Sequence, residues 1–156
     1  MHRDVKPENV LFHIDDRCGM MLKLCDFGLS RISRSNTDCR TFCGTPQYMP
    51  PEVIAFAVPC CNYDLCGYGK NADLWSFGIV LHVMVCAAEP FAEEGLYDSI
   101  MSVDVDVDNE EWHAVSSSAA VVMRGLLRYA PSARMSATSI LEFVNTEWPS
   151  IDHAIQ

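Results

Sequence analysis

The amino-acid sequence predicts a mostly α-helical chain with one small β-hairpin near its N-terminus. Three observations support that class. Two short apolar runs, residues 10–12 and 20–25, flank the polar turn Asp15-Asp16-Arg17-Cys18-Gly19, the pattern of an antiparallel strand pair. A long apolar run at residues 74–88 has the length of a helix. Val122, Met123, Leu126 and Leu127 recur at three- and four-residue spacing, which places them on one helix face.

In chain order, the hairpin comes first and organises what flanks it. Its geometry brings Asp4 and Asn9 at its mouth close to Asp26 at its far end. Two carboxylates and a carboxamide at one spot suit a hard cation, which takes oxygen ligands and keeps waters and phosphate oxygens. Lys6 adds a fixed positive charge, and the set suits phosphoryl transfer, where catalysis is mostly positioning and charge neutralisation. Residues 29–43 are rich in Ser, Thr, Arg and Asn and read as a loop, as do residues 55–70 with Pro59, Gly67 and Gly69. Asn71 is a possible cap for the helix over 74–88, which is apolar on nearly every face and is therefore expected to be mostly buried. Glu89-Pro90-Phe91 ends it.

Residues 103–108 alternate Val and Asp at period two, but Asp is a poor strand former. The run reads as a solvated acidic loop. It lacks the Gly and the spaced ligands of a calcium-binding EF-hand loop. An amphipathic helix over 119–129 follows, with Ser116 or Ser117 near its cap, and Pro131-Ser132-Ala133-Arg134 breaks it. A last helix is expected over 136–144, with Trp148-Pro149 beyond.

Composition sets bounds on function. The chain has 156 residues, the size of one domain, and 49% of them are hydrophobic, enough for a core. A net charge of −10 argues against binding nucleic acid or an anionic membrane, and is compatible with basic peptide substrates. The N-terminus is charged where a secretory signal needs an apolar run, and the stretch 77–88 is too short to cross a bilayer. Eight cysteines occur with no C-x-x-C pair, which favours a reduced, intracellular chain, cytoplasmic or nuclear, over disulfides or zinc. No internal repeat is visible.

His2-Arg3-Asp4 with Asn9 five residues on, followed by Asp26-Phe27-Gly28, resembles the catalytic loop and magnesium motif of eukaryotic protein kinases. The resemblance implies a partial kinase domain over 1–148: catalytic loop to magnesium motif at 1–28, activation segment at 29–52, helical subdomain at 71–148, and a tail at 149–156. It implies ATP and Mg2+ as cofactors and protein Ser/Thr hydroxyls as substrate. Asp4 would accept the hydroxyl proton, Asn9 and Asp26 would hold magnesium, and Lys6 would neutralise the γ-phosphate. Lys6 and Thr45 mark the serine/threonine type, with Thr45 bonding Asp4 and Lys6. Leu11 would lie beneath the adenine. Arg3 would pair with a phosphate on the activation segment, for which Thr41 is the best-placed acceptor. Gly44-Thr45-Pro46-Gln47-Tyr48-Met49-Pro50-Pro51-Glu52 resembles the substrate-binding loop and the Ala-Pro-Glu motif, here Pro-Pro-Glu. Glu52 is expected to form a buried ion pair with Arg134, and Asp73, in Asp73-Leu74-Trp75-Ser76-Phe77-Gly78, to hold the catalytic-loop backbone. The downstream order Trp112, Ser116, Leu126-Leu127, Pro131-x-x-Arg134, Trp148 resembles the calcium/calmodulin-dependent kinase group, including checkpoint-type members, with Ala130 where an Asp usually stands.

The Gly-rich loop, the strand lysine and the helix glutamate of such kinases have no counterpart here, so the resemblance implies a C-terminal lobe whose N-lobe is absent. Its partners would be that N-lobe, or a longer parent chain, and protein substrates. The competing readings are a non-catalytic binding fragment and a remnant. The 156 residues alone are expected to lack kinase activity and to associate through uncovered apolar faces.

Overall fold

A computed structural model describes residues 1–15, 19–34, 39–56, 67–102 and 115–147. It is mostly helical with one two-stranded antiparallel sheet. Strands β1 (Val10–Asp15) and β2 (Gly19–Leu24) pair from Val10 opposite Leu24 to Asp15 opposite Gly19. Both strands are longer at the turn end than the apolar runs alone suggested, because His13, Ile14 and Asp15 continue the ladder to Gly19 at φ +75°. Helices α1 (Pro51–Ile54), α2 (Asn71–Cys86), α3 (Leu96–Ser102), α4 (Ser117–Leu126) and α5 (Ala137–Glu147) follow.

The core forms around α2. Trp75, Ile79 and Val80 are buried with Val53 and Ile54 of α1, Tyr68, Phe91, Ile100 and Leu127. Trp75 stacks parallel to Phe91 at 6.2 Å between ring centroids. On another side of α2, Gly78 lets α4 come close: a Cβ there would lie 2.9 Å from side-chain atoms of both Leu126 and Leu127. Ala119 and Met123 of α4 pack with Leu81 and Cys86. Ser116 caps α4 by accepting the Ala119 N–H at 3.3 Å.

Two expectations about α2 need correction. Asn71 is the first helical residue and not its cap, a position that Lys70 takes; the Asn71 Nδ2 donates to the Pro131 carbonyl at 2.8 Å. Nor is the helix buried on nearly every face. Phe77 and Met84 are 41% and 64% exposed, and with Val10, Leu22 and Leu24 they line an open apolar groove. The last two helices are also shifted: α4 ends at Leu126 and α5 runs on to Glu147. The acidic run at 103–108, Trp112, Trp148 and residues 57–66 of the loop before α2 lie outside the described residues.

Candidate active site

The site begins with residues 2–9, a segment without regular structure that closes on a 3₁₀ turn at Pro7–Asn9. Arg3 adopts φ +71°, a left-handed conformation that costs a non-glycine residue energy and persists only when surroundings fix it. Asp73, in the first turn of α2, does the fixing. Its Oδ2 accepts the His2 N–H at 2.7 Å and its Oδ1 the Arg3 N–H at 2.9 Å. His2 is buried, and its Nε2 bonds the Cys25 carbonyl at 2.9 Å while its ring meets the edge of Phe27. The Cys25 N–H in turn donates to the Asn9 carbonyl at 2.9 Å. The end of β2, where Asp26 begins, is thereby fastened to both ends of the loop.

Three side chains then close a ring around the Asp4 carboxylate. The Thr45 hydroxyl donates to Oδ1 at 2.7 Å, and Lys6 Nζ and Asn9 Nδ2 each reach Oδ2 at 3.2 Å. Lys6 Nζ also donates to Thr45 Oγ1 at 2.9 Å, and Asn9 Nδ2 to the Asp4 carbonyl at 2.8 Å. Burial works to raise the Asp4 pKa, but the hydrogen bonds from Thr45 and Lys6, the Lys6 charge and the Asn9 bond outweigh it. The carboxylate is held below its ordinary range and is ionised at neutral pH.

Thr45 reaches Asp4 because Gly44 lies against Arg3. At φ +115° a Cβ on Gly44 would sit 2.7 Å from the Arg3 carbonyl oxygen, so only glycine fits. After it, Pro46–Tyr48 form a 3₁₀ turn, and Ser76 of α2 donates to the Tyr48 carbonyl at 2.7 Å. Asp26 is itself left-handed at φ +57°, with its Oδ1 accepting the Gly28 N–H at 3.2 Å. Asp26 is exposed, whereas Asn9 is buried. Leu11 lies on β1, half exposed.

Arg3 and Thr41 both meet the Tyr68 hydroxyl. The Arg3 Nε donates to the Leu29 carbonyl at 2.5 Å, and its guanidinium lies beside the Tyr68 hydroxyl. Tyr68 donates that hydroxyl to the Thr41 carbonyl at 2.6 Å, while Thr41 as a residue is exposed. Further away, Arg134 has a fully buried side chain that donates Nη1 to Glu52 Oε1 at 2.6 Å and Nη2 to Oε2 at 2.7 Å. It packs 5.2 Å from the centre of the Trp75 ring.

The structure thus brings Asp4, Lys6, Asn9 and Thr45 into one bonded cluster, ties Arg3 and Asp73 to its backbone, and sets Glu52 and Arg134 apart as a separate pair. Four residues have roles here that the sequence motifs do not report. Gly44 is visible only as a residue of a loop motif, whereas its role is a close approach. His2 and Ser76 act through backbone carbonyls, which no residue pattern reports. Tyr68 stands in a Gly-flanked loop without periodicity, and nothing in the pattern marks it.

Over residues 1–147 the chain matches the family Protein kinase domain. The chain belongs to the protein kinase family. It is 33% identical over 145 residues to calcium-dependent protein kinase 19 of Arabidopsis thaliana, which covers 91% of this chain and 24% of that protein. A probable serine/threonine-protein kinase of Dictyostelium discoideum, fhkB, is 37% identical over 150 residues, covering 95% of this chain and 12% of that protein. MAP kinase-activated protein kinase 2 of Mus musculus is 34% identical over 154 residues, covering 94% of this chain and 36% of that protein. The chain therefore spans about a third or less of each of these relatives.

Proposed function

We propose that this sequence is the C-terminal lobe of a serine/threonine kinase domain, and that it transfers the ATP γ-phosphate to protein Ser or Thr hydroxyls when an N-lobe completes the cleft. The observation that carries the reading is the Asp4 carboxylate, ionised and held by Thr45, Lys6 and Asn9 at 2.7 to 3.2 Å. An ionised carboxylate fixed in this way orients an incoming hydroxyl and accepts its proton as the new O–P bond forms and the bond to the departing ADP oxygen breaks. Lys6, tethered to Thr45, supplies positive charge to the transferring group. Thr45 sets the carboxylate's orientation.

Asn9 and Asp26 offer carboxamide and carboxylate oxygens, the donor type Mg2+ takes, and two protein ligands suffice for an ion that keeps waters and phosphate oxygens. When bound, Mg2+ would neutralise charge on the phosphates. Asn9 is oriented for this by its Nδ2 bonds to Asp4. Leu11 on β1 would floor the adenine. Arg3 and Thr41 would form the regulatory pair, with a phosphate on exposed Thr41 drawing the Arg3 guanidinium. Glu52, Arg134 and Asp73 hold the scaffold. The partition into 1–28, 29–52 and 71–148 follows from these roles. The calcium-dependent and MAP kinase-activated relatives support placement in that kinase group.

The test is transfer of labelled γ-phosphate from Mg-ATP to a Ser/Thr peptide by the native polypeptide that carries this sequence. Asp4→Ala is expected to lower kcat by about 10²- to 10⁴-fold. A variant that retained the parent rate would overturn the assignment.

A further inference from the structure

Tyr68 makes more connections than its place in an unpatterned loop suggests. Its backbone pairs with Cys39 in both directions, the Tyr68 N–H donating to the Cys39 carbonyl at 2.8 Å and the Cys39 N–H to the Tyr68 carbonyl at 3.0 Å. The residue is 2% exposed, and its ring meets Phe56 edge-on at 5.9 Å. The hydroxyl at the far end donates to the Thr41 carbonyl at 2.6 Å, lies 3.6 Å from Cys43 Sγ and sits beside the Arg3 guanidinium. One residue therefore holds Cys39 through its backbone, and Thr41 and Cys43 through its hydroxyl, beside Arg3. Two residues later Thr45 bonds Asp4 at 2.7 Å, across a Gly44 that lies on the Arg3 carbonyl.

We propose that Tyr68 is a positioning residue: its hydroxyl latches the segment 39–43 onto Arg3, and this latch sets the Thr45 hydroxyl against the Asp4 carboxylate. The latch is stiff because the ring is immobilised by burial and by the backbone pair with Cys39, so the hydroxyl has little freedom to leave the Thr41 carbonyl. Burial pushes the phenol up to about 12, which keeps it a donor throughout the physiological range. Because the latch grips the Thr41 backbone and leaves the residue exposed, the same contact controls how Thr41 is displayed.

The effect on the reaction rests on the phosphoryl-transfer reading; the latch itself does not. Tyr68→Phe removes only the oxygen. In the 156-residue chain, the rate of Cys43 alkylation by iodoacetamide, followed by peptide mass spectrometry, is expected to rise about two- to tenfold, the factor that corresponds to losing one ordinary hydrogen bond. Cys86 on α2 serves as the internal reference and is expected to keep its rate. Equal rates at Cys43 in parent and variant would overturn the latch. A parallel rise at Cys43 and Cys86 would also overturn it, by showing that the hydroxyl supports the whole fold and not this segment. In the native polypeptide, Tyr68→Phe is expected to lower kcat with the KM for ATP unchanged, and an unchanged kcat would overturn the positioning role. An inactive parent polypeptide would remove the functional reading while the alkylation result still decided the latch.

Discussion

Glu52→Gln isolates one charge in an ion pair whose Arg134 side chain is fully buried. The Arg134 side chain has no solvent exposure, and besides Glu52 it donates to the carbonyls of Arg128 at 2.8 Å, Asn71 at 2.9 Å and Tyr129 at 3.1 Å. With Glu52 neutral, a guanidinium stays buried with only carbonyl dipoles and the Trp75 face as partners. Breaking a buried pair from one side costs about 3–5 kcal/mol. Gln keeps an acceptor oxygen, so the lower end, about 3 kcal/mol, is expected. For a chain of this size that is a fall in Tm of roughly 6–12 °C. Urea denaturation read by tryptophan fluorescence would measure it. The apolar double replacement Glu52→Leu with Arg134→Met should recover only part of the loss, because the three carbonyls then lose their donor. A loss under about 0.5 kcal/mol in Glu52→Gln would show that the pair behaves as an exposed one, since exposed pairs lie in that range.

Gly44→Ala should destabilise the chain by about 1–3 kcal/mol, because both the positive φ and the 2.7 Å approach to a backbone oxygen resist a Cβ; urea denaturation reads it. Gly78→Ala should cost about 1–3 kcal/mol by overpacking α2 against Leu126 and Leu127, measured the same way. The depressed Asp4 pKa contributes stability that is present above its ordinary value of 3.8 and is lost as pH falls through the lower folded value. The stability difference between parent and Asp4→Asn should therefore shrink as pH drops below about 3.8, in a series of denaturation curves. Phosphopeptide mapping of the active polypeptide should find phosphate on Thr41, and its consistent absence would remove Thr41 from the regulatory pair.

The short contacts of the site were legible because their residues sit close together in sequence or within strongly patterned runs. Asp4, Lys6 and Asn9 fall within six positions, and the hairpin that returns the chain to Asp26 shows as two apolar runs around a polar turn. The Glu52–Arg134 and Asp73–loop contacts are long-range, and residue pattern alone pairs none of them; they came from the family resemblance. What remained hidden depends on backbone geometry or on surface. Asn71 has the residue type of a cap but lies one position inside the helix, and its Nδ2 donates to the distant Pro131 carbonyl, a contact local propensity cannot foresee. The apolar run of α2 taken alone predicts burial on all sides, whereas the resemblance, which leaves apolar helix faces uncovered, agrees with the open Phe77 and Met84. Tyr68 acts through one hydroxyl on one carbonyl, a contact without sequence signature.

Phosphoryl transfer by Asp4 within its ring of Thr45, Lys6 and Asn9 is the function proposed for this chain. The most direct measurement is a single-turnover assay of γ-phosphate transfer from Mg-ATP to a serine peptide by the native polypeptide carrying this sequence, comparing the parent with Asp4→Asn. Asn retains the size and one acceptor oxygen but cannot take a proton. A rate lower by about 10²-fold or more, with ATP still bound, is expected for Asp4→Asn. Equal transfer rates would contradict it.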